Sequence, residues 1–216
     1  MITLSIQSSK YCVSAALFSD SKIIKFSQIK NVKFNRIESL MKIIEKLLKS
    51  LPMNRVDLII FPRGPGSFTT IRSLISTSQG LALGYGAKIR TVSNFEAIFV
   101  SKRICKSKTI VIFKDSREEF LHQIFEKGSN GKISNGNIEA GNFEDLKIKV
   151  KKSCPRKEIA IISDHRYAIF SDPFFSNYCL QITSCNAKKV FLAYRKGYSS
   201  ENIEPIYFFR HYAFQN

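Results

Sequence analysis

The sequence predicts an α/β protein in which one order of elements, β-β-β-α-β-α, occurs twice. Three observations lead to this expectation. Each half of the chain begins with short apolar segments separated by polar turns, an amphipathic helix follows, and a continuous apolar run of strand length comes next. A strand meander leading into an α/β crossover, repeated once, is the plan of a duplicated ribonuclease-H-like fold.

In the first half, three strand-like segments are joined by turns too short for anything but an antiparallel meander. The segment 35–50 then places apolar residues at helical spacing, and Asn35 is a candidate N-cap with Glu38 three residues later. The predicted elements are strands at 2–7, 12–18, 21–29, 56–62 and 88–92, and helices at 35–50, from about Ser67 to 84, and at 94–102.

The second half repeats this order with negligible sequence identity to the first. Its predicted elements are strands at 109–113, 119–125, 131–139 and 158–163, and helices at 143–153 and 185–197. We therefore expect a first lobe at 1–104 and a smaller second lobe at 105–216, whose C-terminal segment could return to the first lobe.

Composition and charge limit the cellular location and the binding partners that can be expected for this chain. The five cysteines are scattered and form no C-x-x-C pair, which favours reduced thiols and a cytoplasmic location. No apolar run approaches the length of a membrane span, and no signal peptide is evident, so no membrane partner is expected. The net charge of +17 has two interpretations, a surface facing a polyanion such as RNA or a compositional drift that leaves solvated lysines.

The segment FPRGPGSFTTIRSLISTSQGLALG at 61–84 raises the question of a phosphate-binding loop. The Walker pattern is absent, because no lysine follows the glycines and Pro65 lacks an N–H group. A sharp turn that begins a helix fits better, with Ser67 or Thr69 as its cap. Small residues along that helix indicate a face that a second helix can approach closely.

This segment resembles the signature of the bacterial TsaB (YeaZ) family, an R-G-P-G-S-F-T-G-[LVI]-R run followed by G-x-A-x-G-L-A. Thr70 replaces the usual glycine. Weaker similarity extends to DSREEFLHQIF at 115–125 and EPIYFFR at 204–210. The residues that match the signature are Arg63, Gly64, Pro65, Gly66, Ser67, Phe68, Thr69 and Arg72.

The resemblance implies an actin-like (ASKHA) fold and a role in forming threonylcarbamoyladenosine at position 37 of tRNA. Members of this family are non-catalytic paralogues that bind the catalytic TsaD subunit, and the ATPase TsaE joins the pair. The resemblance implies that tRNA is bound only indirectly, through this complex. A homodimer through the same helices is a further possibility. The residues expected at the partner interface are Ile37, Met41, Ile44, Leu48, Leu74 and Ser78.

Independent catalysis is not expected, and neither a cofactor nor a metal site is predicted. At the end of the first strand, where active members of the superfamily hold a metal-nucleotide through an acidic residue, this chain has Gln7, and a neutral amide is a poor ligand for a divalent cation. Two other functions remain open on the sequence alone: an actin-like ATPase or kinase that works by itself, and a basic RNA-binding module.

Overall fold

The computed structural model describes residues 1–9, 12–32, 35–51, 55–101, 106–114, 119–153, 158–165 and 167–207. In chain order its elements are β1 (Ile2–Ser8), β2 (Cys12–Ser19), β3 (Lys22–Lys30), α1 (Arg36–Leu48), β4 (Leu58–Pro62), α2 (Phe68–Tyr85), β5 (Lys88–Val92), α3 (Asn94–Phe99), β6 (Lys108–Lys114), β7 (Phe120–Lys127), β8 (Ile133–Gly141), α4 (Phe143–Ser153), β9 (Ile159–Ser163), β10 (Cys179–Ile182) and α5 (Ala187–Arg195). Two short 3-10 helices lie at Ala168–Ser171 and Pro173–Asn177.

The chain divides into two compact units. Unit 1 comprises residues 1–101 and 185–216, and unit 2 comprises 102–184. This division differs from the expected lobes at 1–104 and 105–216, because the last part of the chain belongs to unit 1.

Unit 1 is built on a five-stranded sheet with the order β3-β2-β1-β4-β5. The first three strands pair antiparallel, as expected for a meander, and β4 and β5 add in parallel. Parallel neighbours need a crossover connection, which α1 and α2 supply.

Helices cover both faces of this sheet. Successive side chains of a strand point to opposite faces, so Leu4 and Ile6 share one face while Ser5 lies on the other. Leu4 and Ile6 belong to a core cluster with buried residues of α1 and α2. On the other face the Ser5 hydroxyl donates to the Ala187 carbonyl at 2.7 Å, which places α5 there.

Unit 2 repeats the topology of the sheet. Its order is β10-β9-β6-β7-β8, with an antiparallel meander of β6, β7 and β8 and parallel pairs at β6/β9 and β9/β10. The duplicated plan predicted from the sequence is therefore confirmed. Neither β10 nor the two 3-10 helices were predicted from the sequence. The helix that corresponds to α5 was predicted as the last element of the second half, whereas in the structure it belongs to unit 1.

The helix starts correct two further expectations. Asn35 precedes α1 in the left-handed region, with φ of 51°, and its side chain makes no capping hydrogen bond. Ser67 is the residue before α2, but its hydroxyl donates to Thr70 Oγ1 at 2.7 Å and does not cap the helix backbone. Within the described residues, no helix has the length and apolar character that a membrane crossing requires.

Candidate protein-binding surface

The glycine-proline loop between β4 and α2 is occupied by the chain's own backbone. Ile206 N donates to Arg63 O at 2.7 Å, and Gly66 forms an isolated parallel bridge with Tyr207. Gly64 has φ of 120°, and a Cβ at this position would lie 2.3 Å from the Ile206 carbonyl oxygen. Glycine is required here because the C-terminal segment passes directly over it.

The start of α3 fixes the other side of this loop. Asn94 N donates to Gly64 O at 2.6 Å, and Asn94 Nδ2 donates to Pro65 O at 2.8 Å. A capping box between Ser93 and Glu96 orders α3 at this point, and burial raises the pKa of the Glu96 carboxyl. These contacts give the loop a structural role, and they do not form a row of N–H groups directed at one point, as a phosphate cradle requires.

The remaining motif residues form a small cluster on the surface. The Arg72 guanidinium lies 4.0 Å from the centre of the Phe68 ring, and Arg72 Nε donates to the Tyr207 hydroxyl at 3.0 Å. Phe68 is 45% exposed, and Thr69 beside it is also exposed. Tyr207 lies in a segment that the sequence matched only weakly, and its contact with Arg72 adds to the backbone contacts that join the two matching segments.

Of the six residues expected at the partner interface, three are at least partly exposed and three are buried. Met41 is 39% exposed, and Ile37 and Leu48 are half-buried, so a partner can reach these three on α1. The other three, Ile44, Leu74 and Ser78, are 0–1% exposed inside unit 1. The Ser78 hydroxyl donates to Leu74 O at 2.7 Å, which satisfies it within the helix.

The outer side of α2 carries features that the expected interface omitted. Leu83 is 87% exposed, the largest exposed fraction of any large apolar side chain among the described residues. Gly80 and Gly84 lie four residues apart on the exposed side, and a Cβ built on either meets no atom within 4 Å. A helix with glycines at this spacing presents its backbone to a close neighbour. The signal in the sequence was the segment GLALG itself.

Two lysines, one in α1 and one directly after it, form ion pairs with glutamates of the helix. Lys42 Nζ lies 2.6 Å from Glu38 Oε1, and Lys49 Nζ lies 2.6 Å from Glu45 Oε1. The hydrogen bond from Lys42 lowers the pKa of Glu38, and the hydrogen bond from Lys49 lowers the pKa of Glu45. These two ion pairs reduce the charge that a contact on α1 would have to bury, while Lys46 adds an exposed positive charge to the helix.

The end of β1 is closed off from solvent. Gln7 is fully buried, and its Oε1 accepts from Cys12 Sγ at 3.4 Å and from Ser14 Oγ at 3.5 Å. Cys12 Sγ also contacts the Cys185 carbonyl at 3.3 Å, and burial raises the pKa of this thiol. Among the described residues, no group of three or more His, Cys, Asp or Glu side chains could hold a metal ion.

Known proteins share the fold of this chain and parts of its sequence. Residues 30–127 match the family model of TsaD, described as tRNA N6-adenosine threonylcarbamoyltransferase. The solved structure of YeaZ from Pseudomonas aeruginosa superposes with a TM-score of 0.71 at 17% identity, covering 95% of this chain and 99% of that one. Two curated proteins named tRNA threonylcarbamoyladenosine biosynthesis protein TsaB match it, at 38% identity over 61 residues in Haemophilus influenzae and 30% over 115 residues in Buchnera aphidicola.

The chain is similar in sequence to proteins named TsaB and shares the fold of YeaZ. The two alignments span 26% and 51% of the length of these TsaB relatives. The fold is actin-like, in agreement with the duplicated sheets and with the similarity to EutJ from Carboxydothermus hydrogenoformans, which has a TM-score of 0.52 at 10% identity. Residues 115–118 and 208–210, which carry parts of the two weaker TsaB-like segments, lie outside the described residues.

Proposed function

We propose that this chain is a non-catalytic subunit that binds and activates a TsaD-like threonylcarbamoyltransferase, with a TsaE-like ATPase joining the pair, in the formation of threonylcarbamoyladenosine at position 37 of tRNA. Similarity to curated proteins named for threonylcarbamoyladenosine biosynthesis supports a role in that process. The observation that carries the binding role is the exposed side of α1 and α2, where apolar side chains and open glycines lie above a buried core.

This surface, which we call the α1–α2 face, consists of Ile37, Met41 and Leu48 on α1 and Gly80, Leu83 and Gly84 on α2. Burying one large aliphatic side chain fully contributes about 1.5–3 kcal/mol. Leu83 has most of its surface available for such burial, and Met41 has part of it. The buried residues Ile44, Leu74 and Ser78 support the face from beneath by holding the helices on the sheet.

The test is co-purification of the chain with a TsaD-like subunit. Met41→Arg and Leu83→Arg place a charge on the α1–α2 face, and we expect each to reduce the recovered complex at least tenfold, since burying an unpaired charge is costly. Ile148→Arg is the matched control, because Ile148 is 51% exposed on α4 in unit 2. Leu74→Arg is unsuitable, because Leu74 is 1% exposed and an arginine there would disrupt the core.

Retention of the complex by both Met41→Arg and Leu83→Arg would show that the assigned face is wrong. In the absence of TsaD the same face can pair two copies of the chain, and Leu83→Arg should then shift the sedimentation of the isolated protein toward the monomer. Chains that remain dimeric with this substitution would place self-association elsewhere.

The proposal of a non-catalytic subunit is supported by the neutral, enclosed side chain at the end of β1. Gln7 has no exposed atom surface to offer a cation, and it offers no carboxylate. Calorimetric titration of the isolated chain with Mg-ATP tests this point. Micromolar binding would overturn it in favour of an actin-like ATPase or kinase acting alone.

A further inference from the structure

The charged residues of unit 2 are distributed unequally between the two ends of its sheet. The strands β6, β7 and β8 alternate in direction and β9 is parallel to β6, so β6, β8 and β9 begin at the end where β7 stops. Lys108 Nζ donates to Ser153 O at 2.9 Å, which places the last residue of α4 at this end as well. The described charged residues of this end are Lys106, Lys108, Lys127, Lys132, Lys151 and Lys152, together with Glu126 and Glu158.

The other end of unit 2 has an excess of the opposite sign. It contains the last residues of β6, β8 and β9 and the first turn of α4. Its described charged residues are Lys114, Lys147, Glu119, Glu144, Asp145, Asp164 and Asp172. Six lysines thus accompany two glutamates at the first end, whereas two lysines accompany five acidic residues at the second. A compositional drift alone would give both ends the same excess, so it does not account for this placement.

The turn between β7 and β8 lies beside the start of β6. Lys127 N donates to Ser107 O at 2.9 Å, and Gly128 N donates to Lys132 O at 2.8 Å. Lys127 is in register with Ile133, the first residue of β8. Because neighbouring strands are about 4.8 Å apart, the backbones of Lys127 and Lys132 lie within roughly 10 Å of each other.

Lys108 connects this turn to the end of α4 and is itself neutralised. Its Nζ lies 3.2 Å from Oε1 of Glu126 near the end of β7, and the same Nζ donates to Ser153 O at the end of α4. The turn and the end of the helix are therefore adjacent, and the Glu126 carboxylate between them is already paired.

Four lysines of this end are exposed and unpaired. Within the described ranges, none of Lys127, Lys132, Lys151 and Lys152 forms an ion pair. Phe120 of β7 packs in the core beneath α4, and Lys127, seven positions later, lies on the opposite face of the strand. The positive charge therefore surrounds the end of the unit on two sides.

We propose that these four lysines, which we call the basic end of unit 2, bind the phosphodiester backbone of RNA. A folded RNA presents rows of phosphates on both sides of a groove, and lysines on two sides of a narrow end can contact both rows. Ammonium groups act as point charges on phosphate and carry no sequence preference. The inference rests on the proposed function only for the choice of tRNA as the RNA.

An acidic segment of another protein is the competing occupant. The cores of protein–protein interfaces are depleted in lysine and enriched in aromatic side chains. Among the described residues of this end, Ile133 is the only large apolar side chain that is more than a third exposed. A surface with so few apolar anchors favours a polyanion that is bound through its charge.

The experiment measures binding of the full chain to an unmodified tRNA transcript at 50 and 200 mM KCl. With four phosphate contacts, the affinity of the unsubstituted chain should fall roughly a hundredfold between these salt concentrations. The variant Lys127→Gln/Lys132→Gln/Lys151→Gln/Lys152→Gln should lose most of that salt dependence, at about 0.9 in the logarithmic slope for each contact. A salt-independent affinity of the unsubstituted chain, or no binding at all, would overturn the proposal.

The control variant removes the same charge from unit 1. Its substitutions are Lys22→Gln, Lys25→Gln, Lys30→Gln and Lys88→Gln, at exposed lysines of β3 and β5. We expect it to keep nearly all of the slope. Equal losses in the two variants would also overturn the proposal, because the net charge of the whole chain would then account for the binding.

Poly-L-glutamate distinguishes the two occupants. If it binds as tightly as tRNA at equal charge concentration and with the same lysine dependence, RNA is wrong and an acidic protein segment is right. The four-lysine variant of unit 2 should still co-purify with a TsaD-like subunit, so this outcome is separable from the test of the α1–α2 face. Lysine-dependent tRNA binding without any TsaD binding would support the basic end of unit 2 and contradict the proposed function.

Discussion

Because Gly64 has no side chain, the glycine-proline loop and the C-terminal segment can pass close to each other. The residue combines a φ of 120° with a carbonyl oxygen 2.3 Å from the place of its absent Cβ. The sequence predicted a glycine turn here, because Gly64 and Gly66 flank a proline at a strand end. The contact between Gly64 and Ile206 could not be predicted, because a local sequence pattern carries no information about a residue 142 positions away along the chain.

Gly64→Ala should destabilise unit 1. The alanine would meet both unfavourable backbone geometry, costing about 1–3 kcal/mol, and a clash that forces the C-terminal segment away. Urea unfolding measures the loss. Gly131→Ala is a partial control, because Gly131 has a positive φ of 76° but open space around it, so it should show the backbone cost without the clash. Equal losses in both variants would contradict a role for the Ile206 contact.

His122 is a buried histidine without hydrogen bonds in the described structure. It lies on β7 with both ring nitrogens unpartnered, and Glu139 Oε2 is 3.8 Å from Nε2. Burial lowers the pKa of His122, Glu139 opposes this effect, and the ammonium group of Lys149 adds to it. The folded protein therefore keeps this ring neutral at a pH where the unfolded chain binds a proton.

The stability of the fold should fall on acidification below about pH 6.5, the ordinary pKa of histidine, because the unfolded state then binds more protons than the folded state. This one group contributes at most about 1.4 kcal/mol per pH unit. Urea unfolding at pH 7.5 and 5.5 should show a smaller pH dependence for His122→Leu than for the unsubstituted chain. His165→Gln, at an exposed position, is the control, and an unchanged pH dependence in His122→Leu would contradict the assignment.

At the scale of elements, α2 shows what periodicity can predict. The helix was expected from about Ser67 to 84 and spans Phe68–Tyr85, because its apolar spacing and its flanking glycines are local signals. Its partition into buried and exposed sides was only partly predictable. Ser78 is buried although it is polar, because its hydroxyl bonds to the backbone one turn earlier.

The stripe Ile37, Met41, Ile44, Leu48 on α1 was predicted as one surface, since these residues follow each other at helical spacing. In the structure this stripe runs along the boundary between core and solvent, so Ile44 is buried and Met41 is exposed. Periodicity gives the apolar side of a helix but not the angle at which it rests on a sheet. That angle depends on the side chains of the strands beneath it.

The two glycines at the end of α2 should respond to alanine with opposite signs. Gly80 lies inside the helix with open space, so Gly80→Ala should raise the free energy of unfolding by about 0.5–1 kcal/mol. Gly86 follows the helix with φ of 62°, so Gly86→Ala should lower it by roughly 1 kcal/mol.

Thermal unfolding of the two variants checks these signs. Destabilisation by Gly80→Ala would mean that this side of α2 is already covered within the chain, which would contradict the α1–α2 face. Gly80→Met adds a larger side chain without affecting the core, and it should weaken co-purification with a TsaD-like subunit more than it changes stability.

At the scale of the whole molecule, the first sheet is completed by the end of the chain. The Phe18 and Phe191 rings stack with centroids 3.6 Å apart, and Ala187 N donates to Ser14 Oγ at 2.9 Å. The amphipathic pattern of α5 was evident in the sequence, but a pattern does not say which of two similar sheets a helix covers. The short β10 was missed because Leu180 and Ile182 are exposed and give no buried-strand signal.

A fragment containing residues 1–101 should not fold cooperatively, because it lacks α5 and the segment over Gly64. A chain in which 1–101 is joined by a flexible Gly-Ser linker to 185–216 should regain a cooperative unfolding transition, since α3 and α5 are in contact. Denaturant titration followed by circular dichroism compares them. Two-state unfolding of the fragment 1–101 would contradict a structural requirement for α5.

The return of the chain to unit 1 at residue 185 also has a consequence for biosynthesis. A ribosome adds about 5–20 residues per second, so α5 emerges on the order of 5–20 s after residue 101 has been made. During that interval the side of the nascent sheet that bears Phe18 lacks the cover that α5 provides. Unit 2 is contiguous in sequence and needs no later segment, so we expect it to complete its fold before unit 1, whose first residues are made earliest.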